Sequence, residues 1–227
     1  GLITPLSDRA LQNGNQRTLY PQIVRSGRFD SFVIGTSKSR LINPQLLNGE
    51  FGARFANVAM NSMLAWEQKT MIELIRREIG SPKVLILGLD GVWCDPKADT
   101  NRFLKEGFPD WLYDDSRQND FLHLLNDATL RVVARKILYK FGLVEPFVRD
   151  DGFGVFVPPD EQYDAERARA TIWSGRSPAT TPVSDATPAI VTNGSAFPAL
   201  TWLDDALAAL PTTKKILAFV PVHIAAQ

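Results

Sequence analysis

The chain holds little from which to build a metal centre or a disulfide scaffold: one cysteine, Cys94, and two histidines among 227 residues. A lone thiol closes no intrachain disulfide, and no Cys/His cluster shows zinc-ligand spacing. Charge of one sign is not in excess either. Lys plus Arg total 25 and Asp plus Glu total 25, so no global field draws the protein toward nucleic acid or anionic lipid. No nucleic-acid partner, metal or cofactor is therefore expected. Apolar runs stay short of the roughly eighteen residues that would suggest a membrane span, and no signal-peptide pattern opens the chain. Because it starts at Gly1 without methionine, a membrane anchor outside this segment is an expectation left open.

What is present is an alternation of short apolar runs and helical periodicity. Residues 29–36 form a first strand, continuous in apolar character as in a strand buried on both faces. Asn43-Pro44 then signals a helix start, since proline tolerates an early helical position that needs no donor. A second short strand occupies 54–59. From Ser62 to Ile79 apolar residues recur at helical spacing, and Gly80 with Pro82 ends the pattern. Residues 83–90 make a third strand that ends on the carboxylate of Asp90. This order predicts an α/β fold: a three-layer, flavodoxin-like parallel sheet with helices on both faces.

Elsewhere the rhythm is weaker. Residues 1–28, polar and rich in turn signals such as Asn13-Gly14-Asn15, read as an irregular arm. After Asp95-Pro96 a large insertion, 95–195, precedes the fourth strand and is expected to cover the active edge of one single domain. It contains a helix over 119–141 with Ile137 and Leu138 on its apolar stripe, and residues 152–159 that suit a short hairpin. Ser174 to Ala189 has the Ser/Thr/Pro/Ala composition of an exposed loop. A helix over 197–209 and a strand over 215–222 restore the α/β pattern, with His223 directly after that strand. Trp93, Trp111, Trp173 and Trp202 offer sugar-stacking faces, whereas Trp66 reads as core. Asp95, Asp99 and Asn101 lack the glycine and distal glutamate of a calcium loop, and Asn193-Gly194-Ser195 is a glycosylation triplet of the kind that arises by chance.

Ligands of open α/β sheets bind at the carboxyl ends of the strands, which gathers Ser37, Asn57 and Asp90. Ser37 is the nucleophile candidate, with an alternative role as a helix N-cap. Asp90 either takes part in catalysis, or caps the helix or turn beginning near Gly91, or pairs with Arg40. His223 is either a general base or a histidine satisfied by a backbone carbonyl. Lys38 and Arg40 suit an anionic group or a solvated face.

Gly35-Thr36-Ser37, Asn57-Val-Ala-Met-Asn61-Ser62 and Gly88-Leu89-Asp90-Gly91 resemble the first three sequence blocks of the SGNH (GDSL-like) hydrolase superfamily, in particular its divergent bacterial cell-envelope branch. The resemblance spans about residues 29–95 and, more faintly, 197–223. It implies an esterase or O-acyltransferase acting on a small-molecule or carbohydrate ester outside the bacterial cytoplasm, in a membrane-anchored protein. The implied machinery is Ser37 as nucleophile, Asp90 and His223 as further catalytic groups, and Thr36, Asn57, Asn61, Ser62, Lys38 and Arg40 around the oxyanion and the substrate. A catalytically silent relative that binds polysaccharide or an assembly partner is the alternative, and a flavodoxin-like binding domain a third, although the first turn lacks a P-loop's second glycine. Three positions depart from the family pattern. Ser62 stands where the second block has glycine, Asp90 where the third has asparagine, and Val220 where the last block would place the aspartate before His223. An ionised carboxylate accepts hydrogen bonds but donates none to an oxyanion, and the general base is then either His223 or a group beyond Gln227.

Overall fold

The computed structural model describes residues 8–102, 108–116, 120, 134, 137–138, 141–143, 148–155, 157, 160–173 and 197–220. Strands β1 (Ser31–Ile34), β2 (Phe55–Asn57), β3 (Val84–Leu89) and β4 (Lys214–Phe219) form one sheet in the order β2-β1-β3-β4. All the pairings are parallel, with Ile34 beside Leu87 and Leu89 beside Phe219. The class is thus the expected α/β one, and every strand delivers its carboxyl end to the same rim.

The helices are α1 (Asp8–Arg25), α2 (Pro44–Phe51), α3 (Ala65–Ile79), α4 (Ala165–Trp173) and α5 (Pro198–Ala208). Alternation along the strands sorts the core into two faces. On one, Phe32, Ile34, Leu85 and Leu87 pack with side chains of α1, α3 and α5; on the other, Val33, Phe55, Val84 and Ile86 meet Leu47 and Phe51 of α2. Strands β1 to β3 are buried throughout, whereas β4 forms an edge among the described residues and leaves Leu217 and Phe219 exposed. Asn43 starts α2 as foreseen: its side chain accepts from Gln45 N–H, Pro44 follows, and Gly52 closes the helix in the left-handed region.

The supposed irregular arm is a correction, because residues 8–25 are helical. Its apolar period is poor for a physical reason: the face turned inward carries Gln16 as well as Tyr20 and Val24, all buried. Pro21 lies inside this helix and leaves the carbonyl of Arg17 without its usual donor. The phenol of Tyr113 fills that place, donating to Arg17 O at 3.0 Å.

In the insertion, Asp120, Ala134, Ile137 and Leu138 are helical, and Gly142 follows at φ 70°. Ile137 and Leu138 are exposed, so these two do not form the buried stripe expected of them. Residues 153–155 form no strand, which removes the near half of the expected hairpin. Instead, the turn around Asp151 docks on the end of β2, where Asn57 N–H donates to Asp151 O at 2.8 Å. Gly152 lies so close that a Cβ there would stand 2.1 Å from Asn57 O. Ser174 to Ala189 and the triplet at Asn193 lie outside the described residues.

Candidate functional site

Loops from β1, β2 and β3 meet at the carboxyl rim. The backbone of the first runs beside the second, with Val58 N–H donating to Val33 O and Met60 N–H to Gly35 O. After Gly35 the chain enters a 3-10 turn, Ser37–Leu41. Thr36, not Ser37, is the residue that caps it, and Thr36 makes no side-chain capping bond. Its hydroxyl donates across the rim to Asp90 Oδ2 at 2.6 Å. Ser37 therefore opens the turn, with a half-buried side chain and an exposed Lys38 after it.

Ser39, next on the turn, folds back onto the sheet and is fully buried. Ile34 pairs with Leu87, so Gly35 and Gly88 lie side by side one step further along their strands. A Cβ on Gly88 would stand 2.0 Å from Ser39 Oγ, and one on Gly35 would stand 2.3 Å from it. Both glycines are explained by this close approach of the turn.

Asn57 is buried beneath the same turn. Its Nδ2 donates to Ser39 O and Ile42 O at 2.9 Å and stands 3.3 Å from Arg40 O, while Oδ1 accepts from Ala59 N–H. These carbonyls end a short helix and need donors. Asn57 is accordingly occupied in joining two loops, not turned to an oxyanion.

Asp90 is held in the same manner. Oδ1 accepts from Val92 N–H at 3.3 Å, capping the 3-10 turn Gly91–Cys94, and Oδ2 takes the Thr36 hydroxyl. The carboxylate is thus a staple between the first and third loops, and the capping role foreseen for it is observed.

Arg40 is not a surface anion clamp. It is 3% exposed and donates through Nη1 to Asn61 Oδ1 at 2.7 Å, joining the first loop to the second. Tyr20 lies beside it. Burial pushes the Tyr20 phenol up and pulls Arg40 down, and in each case the other group offsets only part of the shift.

The second loop ends on Ser62, exposed and at φ 50°. A non-glycine residue in this left-handed region is uncommon. Glu67 of α3 accepts from Leu64 N–H at 3.0 Å through Oε2. The same carboxylate takes a two-pronged bond from Arg17 of α1, Nε to Oε1 at 2.8 Å and Nη2 to Oε2 at 2.7 Å. These α1 partners were missed in the sequence, where no local pattern ties Gln16 or Arg17 to a loop more than forty residues away.

Two further expectations change. Trp93 is buried in the core, while Trp66 is half-buried against Trp202 at 5.0 Å between ring centroids, with Lys69 and Arg102 over its face. His223 lies outside the described residues. Among the described residues no group of three His, Cys, Asp or Glu side chains is placed to hold a metal ion.

The rim carries the half-buried Ser37 on a turn fixed from below by Asn57, and Arg40 ties that turn to the second loop, which ends at the exposed, left-handed Ser62. In comparisons with known proteins, no family model, curated protein or solved structure matches this chain.

Proposed function

We propose that the chain is an SGNH-hydrolase-like domain of flavodoxin-like build that transfers acyl groups through Ser37, acting on acylated carbohydrate of the bacterial cell envelope. The observation that carries this reading is the placement of Ser37. Ser37 is a half-buried residue at the carboxyl rim, on a turn tied to both neighbouring loops through Thr36–Asp90 and Arg40–Asn61. A periplasmic, membrane-tethered setting belongs to the same proposal. Among the described residues no helix is long and apolar enough to cross a membrane, so a tether would lie elsewhere in the protein.

The chemistry runs as follows. Ser37 Oγ attacks the ester carbonyl carbon while a base, His223 in this reading, takes the hydroxyl proton. The carbonyl oxygen becomes an oxyanion that the N–H groups of Ser37 and Ser62 stabilise. Collapse expels the sugar alkoxide, which takes the proton back from the base and leaves an acyl-serine. Water then yields the acid, or a second sugar hydroxyl yields a new ester. Each oxyanion donor contributes about 3 kcal/mol to barrier lowering, and Asp90 supplies none because it only accepts.

A second reading, a silent relative that binds polysaccharide, is favoured by the engagement of both Asp90 oxygens and the Asn57 amide within the fold. Acetate release from O-acetylated polysaccharide separates the two. The acyl-transfer reading predicts release that falls by about three orders of magnitude or more in Ser37→Ala. Release unchanged by that substitution would overturn Ser37 as nucleophile. No release, with polysaccharide binding equal in both proteins, would replace the enzyme by the binder.

A further inference from the structure

Helix α1 grips the backbone of the second loop at several points. Asn61 N–H donates to Gln16 Oε1 at 2.8 Å, and Arg17 Nη2 lies 3.3 Å from Asn61 O and 3.5 Å from Ser62 O. Arg17 is itself fixed by its two-pronged bond to Glu67, whose side chain is fully buried and which also holds Leu64 N–H. From the other side Arg40 holds the Asn61 side chain. Gln16 is 1% exposed, so its acceptor cannot be replaced by water without opening the interface.

This grip has a directional consequence. In a trans peptide the C=O and the following N–H point in opposite directions. Holding Asn61 O toward Arg17 therefore turns the Ser62 N–H away from α1. It also holds Ser62 at φ 50°, a conformation that a serine with no such restraint would leave for a commoner one at little cost.

We propose that Gln16 and Arg17, braced by Glu67, are positioning residues that lock the 61–62 peptide so that its N–H is presented to the acyl oxyanion at the Ser37 rim. The inference rests on the acyl-transfer reading for its purpose, while the lock itself is a statement about the loop alone. It assigns α1 a part in catalysis although α1 carries no group that touches substrate. It also accounts for the left-handed serine: external bonds supply the restraint that makes a left-handed non-glycine residue tolerable.

Two readouts test it on the intact chain. The first is amide hydrogen exchange at residues 61–64 in the wild type, Gln16→Met and Arg17→Lys. The lock predicts exchange at least about tenfold faster there in both variants, with protection in β1 and β3 kept. The second is the kinetics of Ser37 modification by a fluorophosphonate, resolved into the maximal rate constant and the half-saturating concentration. A donor displaced by about an ångström slows chemistry by about a hundredfold. The expected pattern is a maximal rate constant lowered about 10- to 100-fold with half-saturation unchanged, and a smaller loss in Arg17→Lys than in Arg17→Met, because lysine keeps a donor near Asn61 O. Unchanged exchange at 61–64 overturns the lock. Faster exchange with an unchanged maximal rate constant overturns its catalytic purpose. If the wild type is not labelled at all, the acyl-transfer reading fails and takes that purpose with it, and the exchange comparison alone decides whether α1 holds the loop.

Discussion

The buried hydroxymethyl group of Ser39 decides what residues 35 and 88 can be. Gly88→Ala would place a methyl 2.0 Å from Ser39 Oγ but 3.2 Å from both Ser39 Cβ and Val220 Cγ1, contacts that small shifts relieve once the oxygen is gone. Gly88→Ala should therefore cost about 1–3 kcal/mol of overpacking, most of it recovered in the double variant with Ser39→Ala. Gly35→Ala should not be rescued in this way, since its added carbon meets Ser39 Cβ at 2.8 Å and its φ is 152°. Urea unfolding of the wild type, the three single variants and the two double variants checks both statements, and an equal rescue at the two positions would contradict them. At this scale the sequence told where Ser37 and Asp90 lie, because each follows an apolar run that forms a strand. That Thr36 would turn its hydroxyl to Asp90, or that Asn57 would cap the 3-10 turn, depends on contacts across three strands.

Helix α1 shows how one element is fitted to its neighbour. Pro21 removes a donor from the helix, and Tyr113, reached only after β3, donates to Arg17 O in its place. Burial raises the Tyr113 phenol well above its usual range, with the Glu67 carboxylate adding to this and Arg17 and Arg25 opposing it. The group thus stays a donor at any ordinary pH. Tyr113→Phe leaves a helix carbonyl without its donor and should destabilise by about 1–3 kcal/mol. In a Pro21→Ala background the new N–H at residue 21 can reach Arg17 O, and the cost of Tyr113→Phe should fall to less than half. Thermal unfolding of this double-mutant cycle checks the coupling, and additive effects would contradict it. Among the elements, α2, α3, α5 and all the strands were readable within a few residues; for β1, β2, β3 and α3 the apolar period matches the burial, whereas β4 is an apolar run that leaves Leu217 and Phe219 exposed. Helix α1 was not readable, since its inward face mixes glutamine and arginine with tyrosine and valine and so carries no clean period.

At the scale of the molecule the sheet has two differently built rims. The amino rim is fastened by Asp30, whose Oδ1 accepts from Arg54 N–H at 2.8 Å and whose Oδ2 pairs with Arg54 at 3.3 Å and Lys83 at 3.2 Å. Burial raises this carboxyl, but the Arg54 amide and the Lys83 and Arg54 side chains outweigh it and hold it below its usual range. A lowered folded value means that the stabilisation is present above the unfolded carboxyl value of about 3.9 and is lost as pH falls through the folded value. Both cations are largely exposed, so the contribution is modest. Asp30→Asn should lower stability by about 0.5–1 kcal/mol at pH 7, and the two proteins should converge in acid. Melting curves from pH 7 down to the acid limb test this, and a gap that widens in acid would contradict it.

The carboxyl rim brings Ser37, Ser62 and Asp90 onto one edge, and the α/β class and strand sequence that require this were readable from alternating periods alone. Within 95–195 the helical spacing of 119–141 agrees with the helical state of Asp120, Ala134, Ile137 and Leu138, whereas the hairpin read over 152–159 does not appear at residues 153–155. The proposed acyl transfer requires the Ser37 oxygen to be a nucleophile. Peptide mass spectrometry after fluorophosphonate treatment should find one adduct per chain, on the peptide containing Ser37, and none in Ser37→Ala. An adduct on another residue, or none on the wild-type protein, would contradict it.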